Sequence, residues 1–253
     1  MKTILFCMLS VVLLSQCSPA MSSGFDLEQL KGLTERYPFA VLVDEDNESE
    51  MKFLYADIQQ HVHIYHSDNG KLVMDWETTN LASRVVSLFV ADLFGDGGKE
   101  FVIATEAGRI LIYDLESYDL VWENLQDPFD KIECLAWANI DSDIQVELIF
   151  VADNYLHIYD SANHAMEWES QREFSAQEII IANVDDDDQA EIILNTGAII
   201  DSRFHNTEFE LEKSFGEKIH LYDVNGDGIP EIFGEFSNFS LRIYDIYAER
   251  EIW

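Results

Sequence analysis

Asp223-Val224-Asn225-Gly226-Asp227-Gly228-Ile229-Pro230-Glu231 runs into Ile232-Phe233, then Leu241-Arg242-Ile243-Tyr244-Asp245, then Trp253. This order of features decides the fold, because the chain repeats it. Each copy is an acidic loop, an apolar run, a strand ending in a Tyr–acid pair and a Trp. Counterparts of Asp223 fall at Asp44, Asp92, Asn139 and Asn183, at spacings of 48, 47, 44 and 40 residues. A period in this range marks stacked or radially arranged units, each too small to bury its own apolar face.

Within a unit the pattern reads as four short strands. In the second copy these are Val85 to Leu93, Glu100 to Thr105, Arg109 to Asp114 and Asp119 to Glu123, joined by acidic, Gly-containing turns. Phe101-Val-Ile-Ala, Leu148-Ile-Phe-Val-Ala, Ile192-Ile-Leu and Ile232-Phe are continuous apolar runs, as expected of strands covered on both faces. No helical period lies between them, so the covering layers must be neighbouring sheets. Antiparallel four-stranded sheets packed face to face around an axis make a β-propeller. Residues 38–253 divided among five units give about 43 residues each, the size of one blade. The expected fold is therefore all-β, a propeller of five four-stranded blades. The first unit begins at its innermost strand and the last ends at its outermost, which leaves no spare strand to close the ring.

The chain has 253 residues, 47% of them hydrophobic, with 49 acidic against 15 basic side chains. That composition predicts a folded protein. The formal charge of −34 repels phosphate backbones and excludes nucleic acid as a partner class. Met1-Lys2 followed by the apolar stretch Ile4–Leu14 and the small and polar residues Ser15–Ala20 has the layout of a secretory leader over residues 1–20. Ser18-Pro19-Ala20 offers a cleavage site that would leave Met21 first. Leu14-Ser15-Gln16-Cys17 resembles a bacterial lipobox, which would make a lipidated Cys17 the only membrane attachment. Both routes lead to an exported protein of a bacterial envelope or its surroundings. Residues 21–37 form a lead-in whose Leu27, Leu30 and Leu33 have helical spacing. Cys134 is the one cysteine of the folded part, placed in an apolar run where a buried, inert thiol is expected.

The acidic loops have the chemistry of a cation site. Asp223, Asn225, Asp227 and Glu231 place oxygen side chains at positions one, three, five and nine, as a hard ion requires. Gly228 can take the left-handed turn that aims the Ile229 carbonyl inward. This loop resembles the calcium loops of the FG-GAP/VCBS-type repeats of integrin-like propellers, and the resemblance extends over most of residues 38–253. It implies calcium ligands at Asn183, Asp185, Asp187 and Glu191, at Asn139, Asp141, Asp143 and Glu147, and at Asp92, Asp96 and Glu100. Phe94 has no oxygen to offer in the second loop, and Ile144 and Asp188 replace the turn glycine in the third and fourth. The first loop, from Asp44, has Lys52 at its closing position and is not expected to bind an ion. The Gly-Ala-Pro half of the family signature is absent, so integrin-type ligand recognition is not implied.

Tyr65, Tyr113, Tyr159 and Tyr244 recur with Trp76, Trp122, Trp168 and Trp253. The segment from Ile64 through Trp76 is similar to the blade ends of pyrroloquinoline-quinone-type propellers, which implies that each Trp wedges adjacent blades together. No quinone pocket is expected. The fourth unit carries Ile200-Asp201 and Phe209 instead, and an irregular outer edge is expected there. His61 and His63 alternate on one strand and read as ordinary strand residues. The chain has no Ser/His/Asp order, HExxH or nucleophile elbow, so no catalytic residue is assigned. The reading is a binding or scaffold module for a protein or glycan. A carbohydrate-active enzyme with a central-channel site and an envelope-assembly lipoprotein are the alternatives. Mass spectrometry of the native N-terminus is expected to find either a diacylglyceryl Cys17 or a free Met21. An intact Met1 would refute export.

Overall fold

The structure, a computed structural model, describes residues 38–43, 51–69, 71–126, 128–141, 143–185, 187–236 and 240–253. The leader, the lead-in helix and the loop from Asp44 to Glu48 lie outside the described residues. All regular structure among those described is β-strand, in five antiparallel four-stranded sheets. The first holds β1 (Phe39–Val43), β2 (Met51–Ala56), β3 (Val62–Asp68) and β4 (Lys71–Glu77); the second β5 (Val85–Ala91), β6 (Glu100–Thr105), β7 (Ile110–Asp114) and β8 (Leu120–Glu123). The third holds β9 (Ile132–Ala138), β10 (Glu147–Ala152), β11 (Tyr155–Asp160) and β12 (Ala165–Glu169). The fourth comprises β13 (Ile179–Ala182), β14 (Glu191–Leu194), β15 (Ala198–Asp201) and β16 (Thr207–Glu210), and the fifth β17 (Ile219–Tyr222), β18 (Glu231–Phe236), β19 (Ser240–Asp245) and β20 (Arg250–Glu251).

Each sheet is a meander of consecutive strands, and none borrows a strand from another. The first strands of neighbouring sheets lie side by side, β1 by β5, β5 by β9 and β9 by β13, while β4, β8, β12 and β16 form the exposed outer edge. This is the arrangement of a β-propeller. The continuous apolar runs behave as their pattern requires: β6, β10 and β14 are buried along their whole length. Alternate residues then serve opposite neighbours. On β10, Leu148 and Phe150 join the core shared with the second sheet, whereas Ile149 and Val151 join the one shared with the fourth. Four such cores link the sheets in chain order, first to second through fourth to fifth, and no cluster among the described residues joins the fifth to the first. Accordingly Phe233 and Ile243, paired on the far face of the fifth sheet, are only half-buried, while Ile149 and Ile193 at the place of Phe233 are fully buried.

The aromatic repeat fastens sheet to sheet. Trp76 packs on Phe101, Tyr113 and Tyr118 of the second sheet, with ring centroids 5.4, 5.1 and 5.9 Å away. Trp122 stacks on His164 of the third at 4.7 Å, and Trp168 on His205 of the fourth at 4.7 Å. Tyr118, His164 and His205 occupy one position, the left-handed residue of the turn between third and fourth strands, with φ of 62, 58 and 58°. The acid of the repeat builds that turn four residues earlier. Asp114 Oδ1 accepts the Ser117 amide at 2.6 Å, Asp160 Oδ1 the Ala162 amide at 2.6 Å, and Asp201 Oδ1 the Arg203 amide at 2.8 Å. Burial lowers the pKa of both His164 and His205, which keeps them neutral in their stacks near pH 7.

The fourth sheet corrects one expectation. Its outer edge is no less regular than those of the first three sheets: β16 pairs with β15 with the same one-residue bulge, because ladder hydrogen bonds need no particular side chain, and Phe209 takes the place of the Trp. Cys134 is buried, with Sγ 3.4 Å from the Ala176 carbonyl, and burial pushes its thiol up to about 12, so it is inert as expected. Because Trp76 is wedged between sheets while Trp253 is 75% exposed, Trp76→Ala is expected to cost about 3 kcal/mol in chemical denaturation and Trp253→Ala close to nothing. Equal losses from the two substitutions would refute the wedge.

Candidate metal centre

In a meander, alternate connections fall at the same end, so the first–second loops and the third–fourth turns of every sheet share one rim. The acidic loops therefore gather there, next to the Trp-docking turns. Each is held by the glutamate at the head of its second strand. Glu100 Oε2 accepts the Leu93 amide at 2.9 Å, and Glu147, Glu191 and Glu231 accept those of Ile140, Val184 and Val224, each at 2.8 Å. All four glutamates are buried. The closing position is thus a latch fixed to the core, as well as the ligand position read from the sequence. In the first sheet Lys52 holds this register and reaches away, to the Leu115 carbonyl at 3.3 Å and Tyr118 Oη at 3.0 Å.

The loop interiors are wound by side chains that cap the backbone two residues on. Asp141 accepts the Asp143 amide and Asp143 that of Gln145, both at 2.8 Å. Asp185 takes Asp187 at 2.9 Å and Asp187 takes Gln189 at 2.6 Å; Asn225 takes Asp227 at 2.8 Å and Asp227 takes Ile229 at 2.9 Å. In the second loop Asp92 accepts the amides of Asp96 at 3.2 Å and Gly97 at 3.0 Å, while Phe94 packs edge-on to His164 at 6.2 Å. Gly228 takes φ +94° as its position requires, whereas Ile144 and Asp188 make the equivalent turn without a left-handed residue. Gly95 has a second reason to be glycine: beyond its φ of +69°, a Cβ there would lie 2.7 Å from the Ile144 carbonyl oxygen of the adjoining loop.

The loops differ in how far their ligands converge. Among the described residues, Asp141, Asp143 and Glu147 bring one carboxylate oxygen each within 4.8 Å of the others, as do Asp185, Glu191 and Glu208. In these two loops the first-position amide turns inward, Asn139 donating to the carbonyls of Asp143 at 2.9 Å and Gln145 at 2.8 Å, and Asn183 to that of Asp187. The last loop is drawn closed differently: Asn225 donates to Glu231 Oε1 at 2.6 Å, and Asp223 is occupied by the amides of Gly226 and Gly228. Burial, with nearby Asp141 and Asp143 adding to it, pushes the Glu147 carboxyl up to about 7. Burial with Asp185, Glu208 and Asp187 pushes Glu191 up to about 8. Sequence reading missed Glu208, and its one visible signal was an acid at the place of Glu167 in the preceding repeat.

Three histidines away from the acidic loops have acidic neighbours. His61 and His63 share Asp57, with His63 Nε2 at 3.0 Å and His61 Nδ1 at 3.7 Å. His63 and His157 occupy equivalent places and each faces a glutamate of the outer strand, Glu77 at 3.4 Å and Glu169 at 3.6 Å.

No family model and no curated protein matches the chain. Among solved structures the fold is widespread, with 907 matching chains, a breadth that carries architecture and not activity. BBS1N in a crystal structure with ARL6DN soaked with lead is similar at a TM-score of 0.58 and 13% identity, over 86% of this chain and 67% of that one. The same complex soaked with mercury gives 0.58 and 14%, over 86% and 65%. The chain thus spans about two thirds of their length, and at such low identity the likeness shows the fold alone.

The latch makes a prediction for the metal-free protein. Glu147→Ala strands the Ile140 amide and is expected to cost about 1–3 kcal/mol. Glu147→Gln keeps an acceptor for that amide and removes a charge, and should be neutral or stabilising in a denaturation series without metal. Equal losses from both variants would mean that the amide bond is not what the position supplies.

Proposed function

We propose that this chain is an exported, calcium-binding β-propeller of the FG-GAP/VCBS type. Its five sheets close into one ring, and it acts as a binding or scaffold module for a protein or glycan. The observation that carries this reading is the gathering of four acidic loops on one rim, each closed by a glutamate anchored in a buried strand. The donor set is carboxylate, side-chain amide and carbonyl oxygen, without sulfur or imidazole, which favours a hard cation over zinc or copper. The ligands implied are Asp223, Asn225, Asp227, Ile229 and Glu231 in the last loop, with their counterparts in the three before it.

A rigid stack of sheets carrying its variable loops on one rim suits a module that presents a surface. BBS1N is described in complex with ARL6DN, which supports a protein as the partner class. Ring closure is supported by the common period and by the lack of a Pro-, Gly- or Ser-rich linker between units; the seam would be closed by side-chain packing or by the lead-in segment.

Calcium bound only by the folded state adds about 3 kcal/mol at a hundredfold excess over Kd. Calcium is therefore expected to raise the Tm relative to a chelator. Asp227→Ala should remove part of that gain and Asp44→Ala almost none. Calorimetry that detects no calcium binding at millimolar concentration would overturn the metal reading. Capture of the same envelope component with calcium and with chelator would overturn a calcium-dependent binding role.

A further inference from the structure

The outermost strand carries one extra residue at the same place in four sheets. The pairing steps from Trp76 to Met74, from Trp122 to Leu120, from Trp168 to Met166 and from Phe209 to Thr207, which leaves Asp75, Val121, Glu167 and Glu208 as the bulged residues. A bulge frees a side chain from the alternation of its strand and re-aims it. These bulges sit at the rim that holds the acidic loops. Asp75 is held by His66 at 2.6 Å and Val121 has no oxygen, but Glu208 reaches its own sheet's loop.

In that sheet the ligand oxygens of Asp185, Glu191 and Glu208 lie within 4.8 Å of one another. Glu191 is fully buried; its Oε2 accepts the Val184 amide at 2.8 Å, and its Oε1 is left without any partner. A buried carboxylate oxygen with no donor is costly, and two further acids beside it raise that cost. None of the Lys or Arg ion pairs among the described residues reaches these three acids. Asp185 and Asp187 also line two open clefts, of about 290 Å³ beside Ile246, Tyr247 and Glu249, and about 400 Å³ beside Gly228 and Ile229. Each has room for an ion with attached water.

We propose that Glu208 is a ligand for a hard divalent cation held with Asp185 and Glu191, so that this site joins the acidic loop to the outermost strand. The inference rests on the cation reading of the loops and adds a ligand outside their nine-residue pattern. An ion there would tie β16 directly to the β13–β14 loop, across the intervening strands. Glu167 is the near counterpart: Asp141, Asp143 and Glu147 converge without it.

Calcium calorimetry on the whole chain tests this with Glu208→Gln, Glu191→Gln and, as a control for charge alone, Glu212→Gln. Glu208→Gln should weaken one site at least tenfold and leave the others unchanged, and Glu212→Gln should change none. Terbium gives a local readout, because Tyr247 lines the same cleft as Asp185. Tyrosine-sensitised emission should fall in Tyr247→Leu, and the part lost should be missing already in Glu208→Gln. If Glu191→Gln removes a site that Glu208→Gln leaves intact, the role of Glu208 is refuted while the loop reading stands. Uniform weakening of every site by Glu208→Gln refutes it as a general charge effect. A wild-type protein that binds no calcium refutes both.

Discussion

One buried carboxylate oxygen accepting one backbone amide seven residues earlier recurs in four sheets, and the acidic rim depends on it. That bond ties the loop between first and second strands to the head of the second strand, and the buried Leu93, Val146 and Val184 also hold it to the core, while the Asx turns inside the loop wind it without placing it. The bond also explains how a glutamate is tolerated at the head of a fully buried strand: one oxygen is paired and the other faces the loop. Lys52 in the same register shows the alternative. A side chain that cannot accept an amide turns to the next sheet, and the position becomes a tie between sheets.

The second constraint is the joint between neighbours. An aspartate at the end of the third strand winds a turn, the turn presents a left-handed residue four positions later, and the Trp of the preceding sheet lies against it. The stacked partner changes from tyrosine to histidine while the geometry holds. Repeated loop acids and repeated aromatics thus meet on the same rim, so any ion held by the loops sits close to the joints that set the spacing of the sheets.

Much of this was legible in the sequence. Strand extents in the second unit fell within two residues of those observed, because continuous apolar runs and acidic turns leave little freedom. The buried thiol of Cys134 followed from its apolar run, and the wedging by Trp76, Trp122 and Trp168 from the likeness of the blade ends to those of Trp-docked propellers. What escaped was set by register. Glu208 reaches the loop only because its strand gains a residue, and Tyr118, His164 and His205 share a role without sharing chemistry. The expected irregular edge of the fourth sheet failed for a related reason: a missing Trp alters a side-chain contact and leaves the backbone ladder untouched.

Because every joint seen among the described residues is made between consecutive units, the rule of assembly is local. Each of the first four units supplies a Trp or Phe209 to the sheet after it, each of the last four supplies a turn to the sheet before it, and no strand crosses from one sheet to another. A unit duplicated or lost within the array would bring or remove both halves of its own connections, and the neighbours on either side would still find partners. The number of units is then under weak structural selection compared with the content of each one. Such a chain can lengthen or shorten by whole repeats over evolutionary time, with the adjustment falling on the seam between its last and first units.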